Sequence, residues 1–479
     1  MAHALPSPCD PGSAQVIPAR SIRHPTATLA ATILGSSLAF IDGSVINVAL
    51  PALDRDLHTG PEGLAWLINA YLLMISALTL LGGAAGDHYG RRLLFLSGIG
   101  LFLTASIVCA LAPSLPIILA GRAAQGIGAA MLLPNSLALL GSAFEGETKG
   151  QAIGTWAGVG ALAGAAAPLI GGWLVDALGW RSIFLLNLPV GLAAAWLAWR
   201  FVAEDRDARG APMDTVGAFL VTAGLGISTW ALTVAATPDA KPVLTIGGGT
   251  LGLALLAAFG WFELRRGENA LMPLFLLRNT TFLGVTLLTL LLYAALGGLV
   301  VLLPFVLIRA KGYSPVEAGA AMLPIPILIG LGSRTMGKVT ARIGGRLPMG
   351  LGAFMVAAGL ALYWRIGTAD ASYWGEVLPA TLLVALGMAV CVAPLTTTVM
   401  SSTDADYVGV ASGFNSAVAR IGSLIATALL GFVFVQESQI ALVASAHAAA
   451  LVGAALAAVA GLCAFLLIDD GPGAGPAHG

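Results

Sequence analysis

The stretch GAAGDHYGRR, residues 83–92, places a short run of charge between two long apolar stretches of the chain. A related stretch, GKVTARIGGR, residues 337–346, follows 254 residues later. It keeps the first and eighth positions as glycine and the last as arginine, but Ala341 stands where the first stretch has Asp87. Charge between apolar segments is expected at the water boundary of a membrane. The recurrence predicts a duplicated membrane architecture whose two halves now differ chemically.

The composition places the protein in a membrane. Only 10% of the 479 residues are charged, 58% are hydrophobic, and the mean hydropathy is +0.90. Soluble domains carry about 25% charged residues. The net charge of −1 and the lack of a basic run predict no binding of nucleic acid. The widely separated cysteines predict neither a metal site nor a disulfide framework; they are Cys9, Cys109, Cys391 and Cys463.

Fourteen segments are long and apolar enough to cross a bilayer, since a helical span needs roughly 20 mostly apolar residues. They lie at 27–50, 63–86, 93–112, 115–140, 151–176, 182–202, 214–236, 243–263, 280–308, 315–336, 347–366, 376–399, 407–434 and 440–468. Six precede residue 203, six follow residue 279, and two lie between them. We therefore predict an all-α polytopic membrane protein of two six-helix bundles with an inserted helix pair.

The distribution of lysine and arginine predicts the orientation. Fifteen of these 23 residues fall in loops on the side of the amino terminus, six on the opposite side, and two within spans. Both termini are therefore expected in the cytoplasm, with the chain in a bacterial-type inner membrane. The predicted parts are a disordered cytoplasmic amino terminus, a first bundle, a linker with the inserted pair, a second bundle and a cytoplasmic tail, at 1–26, 27–202, 203–278, 279–468 and 469–479.

Two charged residues lie deep within predicted spans of the first half. Asp42 on the first span and Arg122 on the fourth come out at comparable depth, because a helix rises about 1.5 Å per residue. Each charge alone in lipid would cost at least a few kcal/mol, so we expect the two to neutralise each other across a wet cavity. Burial disfavours the charged carboxyl, whereas the guanidinium favours it. The pair predicts a group that loads and releases a proton or a cationic substrate; the alternative is a structural ion pair.

In the second half, Arg420 is the only cation within a predicted span. It is expected either to contact anionic or polar parts of a substrate or to bond the backbone carbonyls of a neighbouring helix. Polar and aromatic residues of the same spans are candidate neighbours of a substrate cavity. They are Asn47, Gln125, Asn135, Phe414 and Asn415.

Two glycine-containing segments are candidates for conformational gating. In the fifth span, small residues allow helices to approach closely and a proline removes a backbone hydrogen bond; the candidates are Gly160, Gly164, Pro168, Gly171 and Gly172. Simple helix packing is the alternative. At the cytoplasmic turn the candidates are Gly83, Asp87, Gly90, Arg91 and Arg92. There, Asp404 and Asp406 are expected to attract an arginine and form a latch, and solvated loop charges are the alternative.

Sequence patterns of enzymes are missing from the chain. It has neither a Walker loop Gly-x-x-x-x-Gly-Lys-Ser/Thr nor a Gly-x-Ser-x-Gly nucleophile turn. His447 is the only histidine well inside a predicted span, and one histidine makes neither a zinc site nor a catalytic pair. We therefore expect no enzymatic activity, no bound metal, no cofactor and no use of ATP as the energy source.

Several motifs resemble those of the major facilitator superfamily, in particular its fourteen-span drug:proton antiporter branch. The turn at 83–92 resembles the superfamily's cytoplasmic turn after the second span. IDGSVINVALP, residues 41–51, resembles the branch's first-span motif, and RAAQGIG, residues 122–128, is similar to its fourth-span motif. APLIGG, residues 167–172, resembles the fifth-span antiporter motif, although Ala167 stands where glycine is usual. The resemblance covers residues 27–468.

This resemblance implies export of amphipathic drugs, dyes or antibiotics by alternating access, driven by a proton gradient, with Asp42 and Arg122 near the coupling site. The expected partners are a small amphipathic substrate, protons and the bilayer, and a monomer is compatible with the sequence. Neutral or singly cationic substrates are expected to be handled more readily than dications. The alternatives are an importer or dedicated metabolite exporter of the same superfamily and, from another class, a polytopic membrane enzyme or sensor.

Overall fold

The structure is a computed structural model that describes residues 24–144, 146–204, 214–235, 240–267, 270, 272, 274–367, 373–403, 408–436 and 438–469. Within these residues, fourteen helical segments are long and apolar enough to cross a membrane. The predicted all-α polytopic fold is therefore confirmed. Most of the predicted amino terminus (1–23), the linker at 205–213 and the tail from 470 onward lie outside the described residues.

The first six spans pack against one another as one group. Helix α1 packs on α5 and α7, while α4 packs against both α2 and α3. The sixth span is divided into two helices by Leu186. The helices are α1 (Pro25–Leu57), α2 (Gly60–Tyr89), α3 (Arg91–Leu111), α4 (Leu115–Ala143), α5 (Gly146–Leu178), α6 (Ser182–Leu185) and α7 (Asn187–Phe201).

The last six spans form a second group in which α10 packs on α15 and α17, and α13 packs on α14 and α17. Two of these spans are broken into a short and a long helix, one of them just before Pro324. The helices are α10 (Thr280–Lys311), α11 (Pro315–Ala321), α12 (Pro324–Ile343), α13 (Arg346–Leu362), α14 (Leu378–Ser401), α15 (Val408–Leu429), α16 (Gly431–Phe434) and α17 (Gln439–Leu467). This packing supports the predicted division into two bundles.

Between the groups lie α8 (Thr215–Ala235) and α9 (Pro242–Arg266), which pack on each other. Helix α8 also contacts α2 and α15, one helix from each group. Two fully buried acids stand where the pair begins and ends: Asp214 accepts from the backbone N–H of Gly217 at 2.8 Å, and Glu263 accepts from that of Met272. Arg266 pairs with Asp214 at 3.0 Å. Within the described residues, the chain therefore has two buried acids in addition to Asp42.

The repeated stretches are helical over most of their length rather than being tight turns. Helix α2 continues to Tyr89, and the chain reverses only at Gly90, whose φ is +121°. Helix α12 likewise continues to Ile343, and Gly344 follows with a φ of +81°. Residues that carry a side chain rarely adopt these positive φ angles, which explains why glycine recurs at both positions. The duplicated spacing thus corresponds to the same backbone event in both halves.

The two groups meet closely between α5 and α11. A side chain at Gly172 would overlap the backbone carbonyl of Pro315, and one at Gly319 would overlap that of Pro168. Both contacts lie toward the ends of the helices opposite the Gly90 turn. Small residues here allow the helix backbones of the two groups to touch.

Close packing within the first group depends on glycines in the same way, and a matched pair of substitutions tests it. The Cβ of Gly82→Leu falls against the carbonyl oxygen of Ala130, whereas the Cβ of Gly100→Leu meets nothing within 4 Å. We expect the Gly82 variant to lose about 1–3 kcal/mol of stability through overpacking. Thermal unfolding of the purified protein in detergent measures it. Equal melting temperatures for the two variants would contradict this packing.

Candidate functional site

Asp42 on α1 and Arg122 on α4 form an ion pair inside the first group. Arg122 Nη1 donates to Asp42 Oδ2, and the two side chains are each about 1% exposed. The sequence predicted this juxtaposition from depth alone. Because a buried charge without a partner is strongly destabilising, the pair explains how both groups are tolerated between helices.

The other carboxylate oxygen of Asp42 is held by two amides. Gln125 Nε2 donates to Oδ1 at 3.0 Å, and Asn187 Nδ2 donates to it at 3.2 Å. Both amides also contact the hydroxyl of Ser106, at 2.9 and 3.2 Å respectively. The four side chains are almost wholly buried. Helices α1, α3, α4 and α7 therefore meet at a single polar cluster around the carboxylate.

Arg122 is fixed on its far side by α2. Its Nε donates to the carbonyl oxygen of Leu67 at 3.0 Å, and its guanidinium lies over the ring of Tyr71, 4.6 Å from the centroid. The Tyr71 hydroxyl donates in turn to the carbonyl oxygen of Ala39 at 3.1 Å. The remaining nitrogen of Arg122, Nη2, is buried and has no hydrogen-bond partner among the described residues.

A cavity of about 180 Å³ lies between the two groups of helices. Arg122 and Tyr71 line it from the first group, and Tyr293, Ser423 and Thr427 line it from the second. Asn47 also lines the cavity, as the sequence predicted, and its Oδ1 is buried without a hydrogen-bond partner among the described residues. Asp42 is not part of the lining. The guanidinium of the ion pair thus faces the cavity, whereas its carboxylate lies on the far side of the guanidinium.

Arg420 lies on α15, three and seven residues before Ser423 and Thr427, and so on the same helical face as these lining residues. It is half-buried and close enough to Tyr71 and Tyr293 to interact electrostatically with both. In the part of the chain that the structure describes, it has no carboxylate partner. This position supports the first of the two sequence interpretations, in which Arg420 faces a substrate.

The remaining predicted cavity residues lie elsewhere. Asn135 joins α4 to α2 by donating to the carbonyl oxygen of Gly82 at 3.0 Å. Asn415 accepts from the hydroxyl of Thr289 at 2.7 Å, which joins α15 to α10. Phe414 is buried against Phe282, with ring centroids 5.6 Å apart. None of the three lines the central cavity, because each points into helix packing of its own bundle.

The predicted gating residues at the cytoplasmic turn make local contacts. Asp87 accepts from Arg91 Nε at 2.9 Å, one helical turn away. Arg92 binds the end of the sixth span, with its Nη2 donating to the carbonyl oxygen of Trp199 at 2.6 Å and its backbone N–H to Glu204 at 3.0 Å. The predicted latch to Asp404 and Asp406 lies outside the described residues. Gly83 faces Pro134 of α4.

The small residues of α5 face two different partners. Side chains at Gly160 and Gly164 would meet Phe40, and one at Gly171 would meet Val45, so these three pack on α1 of the same group. Pro168 and Gly172 instead face α11 of the other group. Only the latter two therefore lie on a surface along which the groups can move relative to each other.

Beyond the cavity, two contacts close the side of the molecule opposite the Gly90 turn. Thr427 on α15 donates to Asn69 Oδ1 on α2. Farther out, Arg309 at the end of α10 pairs with Asp54 at the end of α1. Both contacts join one group of helices to the other. The structure is thus closed on the side predicted to face outward.

A larger cavity, of about 400 Å³, lies within the second group between α10, α15 and α17. Its walls are almost entirely apolar. His447 at its edge contacts the carbonyl oxygen of Ile366 at 2.9 Å and stacks on Trp364. With no charged group in its lining, this cavity offers little specific chemistry, and the smaller central cavity is the better candidate site. The described residues also contain no group of side chains suited to hold a metal ion.

Several residues of the site were not predicted from the sequence. Asn187 and Ser106 contact the carboxylate or its amide partners, while Asn69 and Thr427 close the cavity. Asn187 stands in NLPVG, residues 187–191, where an amide opens an apolar helix; that pattern was the one available signal. The others are common polar residues in apolar spans, and only the helix packing brings them together.

Two groups of membrane helices around a central cavity, with a buried ion pair beside it, define a membrane transporter. The family model of the Major Facilitator Superfamily matches residues 32–427. The chain belongs to this superfamily, which confirms the resemblance seen in its motifs. It is accordingly a transporter and not an enzyme.

Curated relatives match most of the chain. It is 34% identical over 411 residues to the multidrug resistance protein Stp of Mycobacterium tuberculosis (strain CDC 1551 / Oshkosh), a match that covers 85% of this chain and 75% of that protein. It is 33% identical over 429 residues to the tetracenomycin C resistance and export protein of Streptomyces glaucescens, covering 88% and 78%. It is 31% identical to the methylenomycin A resistance protein of Streptomyces coelicolor, covering 85% of each.

Solved structures show the same fold at low identity. A bacterial homolog of the human lysosomal transporter Spinster, solved in an inward-facing and unoccupied conformation, has a TM-score of 0.63 at 17% identity, covering 93% of this chain and 97% of that one. A structure of proton dependent oligopeptide transporters has a TM-score of 0.63 at 14% identity, covering 92% and 98%.

The Asp54–Arg309 contact generates a test of outer closure. Asp54→Asn removes the ion pair between the groups, and Asp56→Asn is its matched control, because Asp56 pairs with Arg181 inside the first group at 2.9 Å. A partly exposed ion pair contributes up to about 1 kcal/mol. The population of molecules open on the outer side should therefore increase up to about fivefold for Asp54→Asn and not for Asp56→Asn.

The readout is the rate at which a membrane-impermeant thiol reagent, added from outside, labels a cysteine placed at Ser423. The native cysteines are replaced in this background. Faster labelling after Asp54→Asn and unchanged labelling after Asp56→Asn are expected. Equal rates in both would show that the contact does not close the cavity.

Proposed function

We propose that the protein exports amphipathic drugs, dyes or antibiotics in exchange for protons, by alternating access of a central cavity. The observation that carries the coupling is the buried Asp42–Arg122 pair, which is the one ion pair among the described residues whose two side chains are both almost fully buried. The curated relatives named for drug and antibiotic resistance support efflux as the direction of transport.

The geometry supports a proton site at Asp42. In the closed-outside form its carboxylate accepts three hydrogen bonds, one of them from the charged Arg122. These donors come from α4 and α7, so a rearrangement of the bundle that separates α1 from them would change the groups that hold the carboxylate. The surroundings of the proposed proton site would thus follow the conformation of the bundle.

Alternating access follows from where the groups touch. Opening the outer side breaks the contacts of Asp54 and of Asn69, and the backbone contacts at Gly172 offer a close surface for the movement. Transporters of two related bundles carry substrate at a midplane site in this manner. One charge that crosses 100 mV is worth about 2.3 kcal/mol, so one proton moving inward can drive tens-fold accumulation outward.

The membrane, the orientation of the chain in it and the energy source are part of this proposal. The excess of lysine and arginine on one side supports a location in an inner membrane, with both termini on its cytoplasmic side. The energy source is the proton gradient, without a bound cofactor. An importer of the same superfamily remains the second candidate; it would load vesicles of native orientation, whereas the proposed antiporter loads everted vesicles.

Asp42→Asn tests the coupling. The amide keeps the shape of the side chain and an acceptor for Arg122 but cannot carry a proton for exchange. We expect drug accumulation driven by a pH gradient in proteoliposomes to fall to the level of protein-free vesicles, with normal protein yield. Asp176→Asn, a change at an exposed acid on α5, is the control and should transport normally. Uphill transport at the wild-type rate by the Asp42 variant would refute the coupling site.

Asn187→Ala tests the role of the amide that the sequence did not reveal. Its loss removes one of the three hydrogen bonds to the Asp42 carboxylate. If Asp42 is the proton site, we expect the pH dependence of efflux to be displaced, because the groups that hold the carboxylate have changed. Gln436→Ala at the outer surface should leave the profile unchanged. A lower rate with an unmoved pH profile would assign Asn187 to packing alone.

A further inference from the structure

The central cavity presents positive charge to whatever occupies it. Arg122 lines it with a buried nitrogen, Nη2, that has no hydrogen-bond partner among the described residues. Asp42, which neutralises this guanidinium, is behind it and about 1% exposed. Both oxygens of its carboxylate are already hydrogen-bonded to Arg122, Gln125 and Asn187. An occupant of the cavity therefore meets the donor side of the pair.

A second guanidinium, that of Arg420, lies on the face of α15 that carries the lining residues Ser423 and Thr427, although Arg420 is not itself part of the lining. Arg420 lies about 4.5 Å along α15 from the level of Ser423, on the cytoplasmic side, given the rise per residue of a helix. It lies near the hydroxyl groups of Tyr71 and Tyr293, which both line the cavity. In the described part of the chain no carboxylate pairs with it. With Asp42 and Arg122 neutralising each other, the site has a net positive charge from Arg420.

Such a site favours one kind of ligand. A guanidinium in a poorly hydrated site binds a carboxylate, phenolate or sulfonate strongly, through charge-assisted hydrogen bonds. A cation would be repelled there, which is how a site discriminates between otherwise similar molecules. The tyrosine rings and the apolar walls, including Leu72 and Val300, suit an aromatic or apolar body.

We propose that Arg420 makes the cavity selective for amphipathic aromatic monoanions over neutral analogues and cations. This specificity rests on the proposed function, since it names the substrate class of that same cavity. It differs from the expectation from the sequence, which ranked neutral or singly cationic substrates above dications and did not consider anions. The cavity of about 180 Å³ is smaller than most drug-sized sites. It accommodates the anionic end of the ligand in the closed-outside form.

Binding to purified protein tests the proposal without requiring transport. The probes are anilinonaphthalene sulfonate, the same ring system without the sulfonate, and the cation ethidium, measured by calorimetry in detergent. Wild type should bind the sulfonate tightest. Arg420→Gln should weaken sulfonate binding by about tenfold or more, as expected for loss of one partner of a buried charge pair. It should change binding of the uncharged analogue by less than about threefold.

Two further variants separate charge from folding. Arg420→Lys keeps the charge and should retain most of the preference for the sulfonate, even if Arg420→Gln proves unstable. Arg365→Gln removes a cation from an exposed position at the end of α13 and should leave binding of all three probes unchanged. Equal weakening of sulfonate and uncharged probe by Arg420→Gln, loss of the preference in Arg420→Lys, or a wild-type preference for ethidium would overturn the proposal.

Transport in everted proteoliposomes distinguishes this inference from the proposed function. If the sulfonate binds in an Arg420-dependent way but a pH gradient drives no probe, the antiport function fails and the binding specificity stands. If the gradient drives ethidium while the sulfonate neither binds nor moves, the specificity fails and the antiport function stands.

Discussion

The scarcity of water inside a bilayer governs this molecule, because a charge placed there is costly unless another group stabilises it. Asp42 and Arg122 meet this requirement with a pair that also engages Gln125, Asn187 and Ser106. Because these groups come from four helices, the electrostatics of one carboxyl depend on the arrangement of the whole first bundle. A change of helix packing therefore changes the surroundings of this carboxyl, which is the basis of the proposed coupling.

The second bundle contributes different chemistry to the same cavity. It supplies Ser423 and Thr427 of α15 and Tyr293 of α10 to the lining, with Arg420 on the same face of α15. The first bundle thus holds the acid proposed to exchange a proton, and the second holds a cation that has no carboxylate partner among the described residues. The loss of the aspartate at Ala341 fits this division, since the duplicated halves retain the same turn at Gly90 and Gly344 but not the same charges.

The sequence predicted the parts of the molecule that follow from long-range regularity. Hydropathy set the fourteen spans, and the depth of Asp42 and Arg122 along their helices was enough to predict the pair. The sequence did not predict which polar residues share a cavity, because that depends on the rotation of each helix and on its neighbour. Phe414 and Asn415 therefore pack against a neighbouring helix, whereas Asn187 and Thr427 belong to the site. Asp214 and Glu263 were missed because they are the end residues of the predicted spans 214–236 and 243–263, where a charge is expected to meet water.

The position of α8 makes the two lateral surfaces of the transporter unequal. It lies across α2 and α15, where Leu73 and Ala77 of α2 join one apolar core with Val221 and Leu225. On that flank a lipid-dissolved molecule meets α8 before it reaches the seam between the bundles. The opposite flank, between α5 and α12, has no such covering helix among the described residues. A compound that partitions into the membrane therefore meets different surfaces on the two flanks.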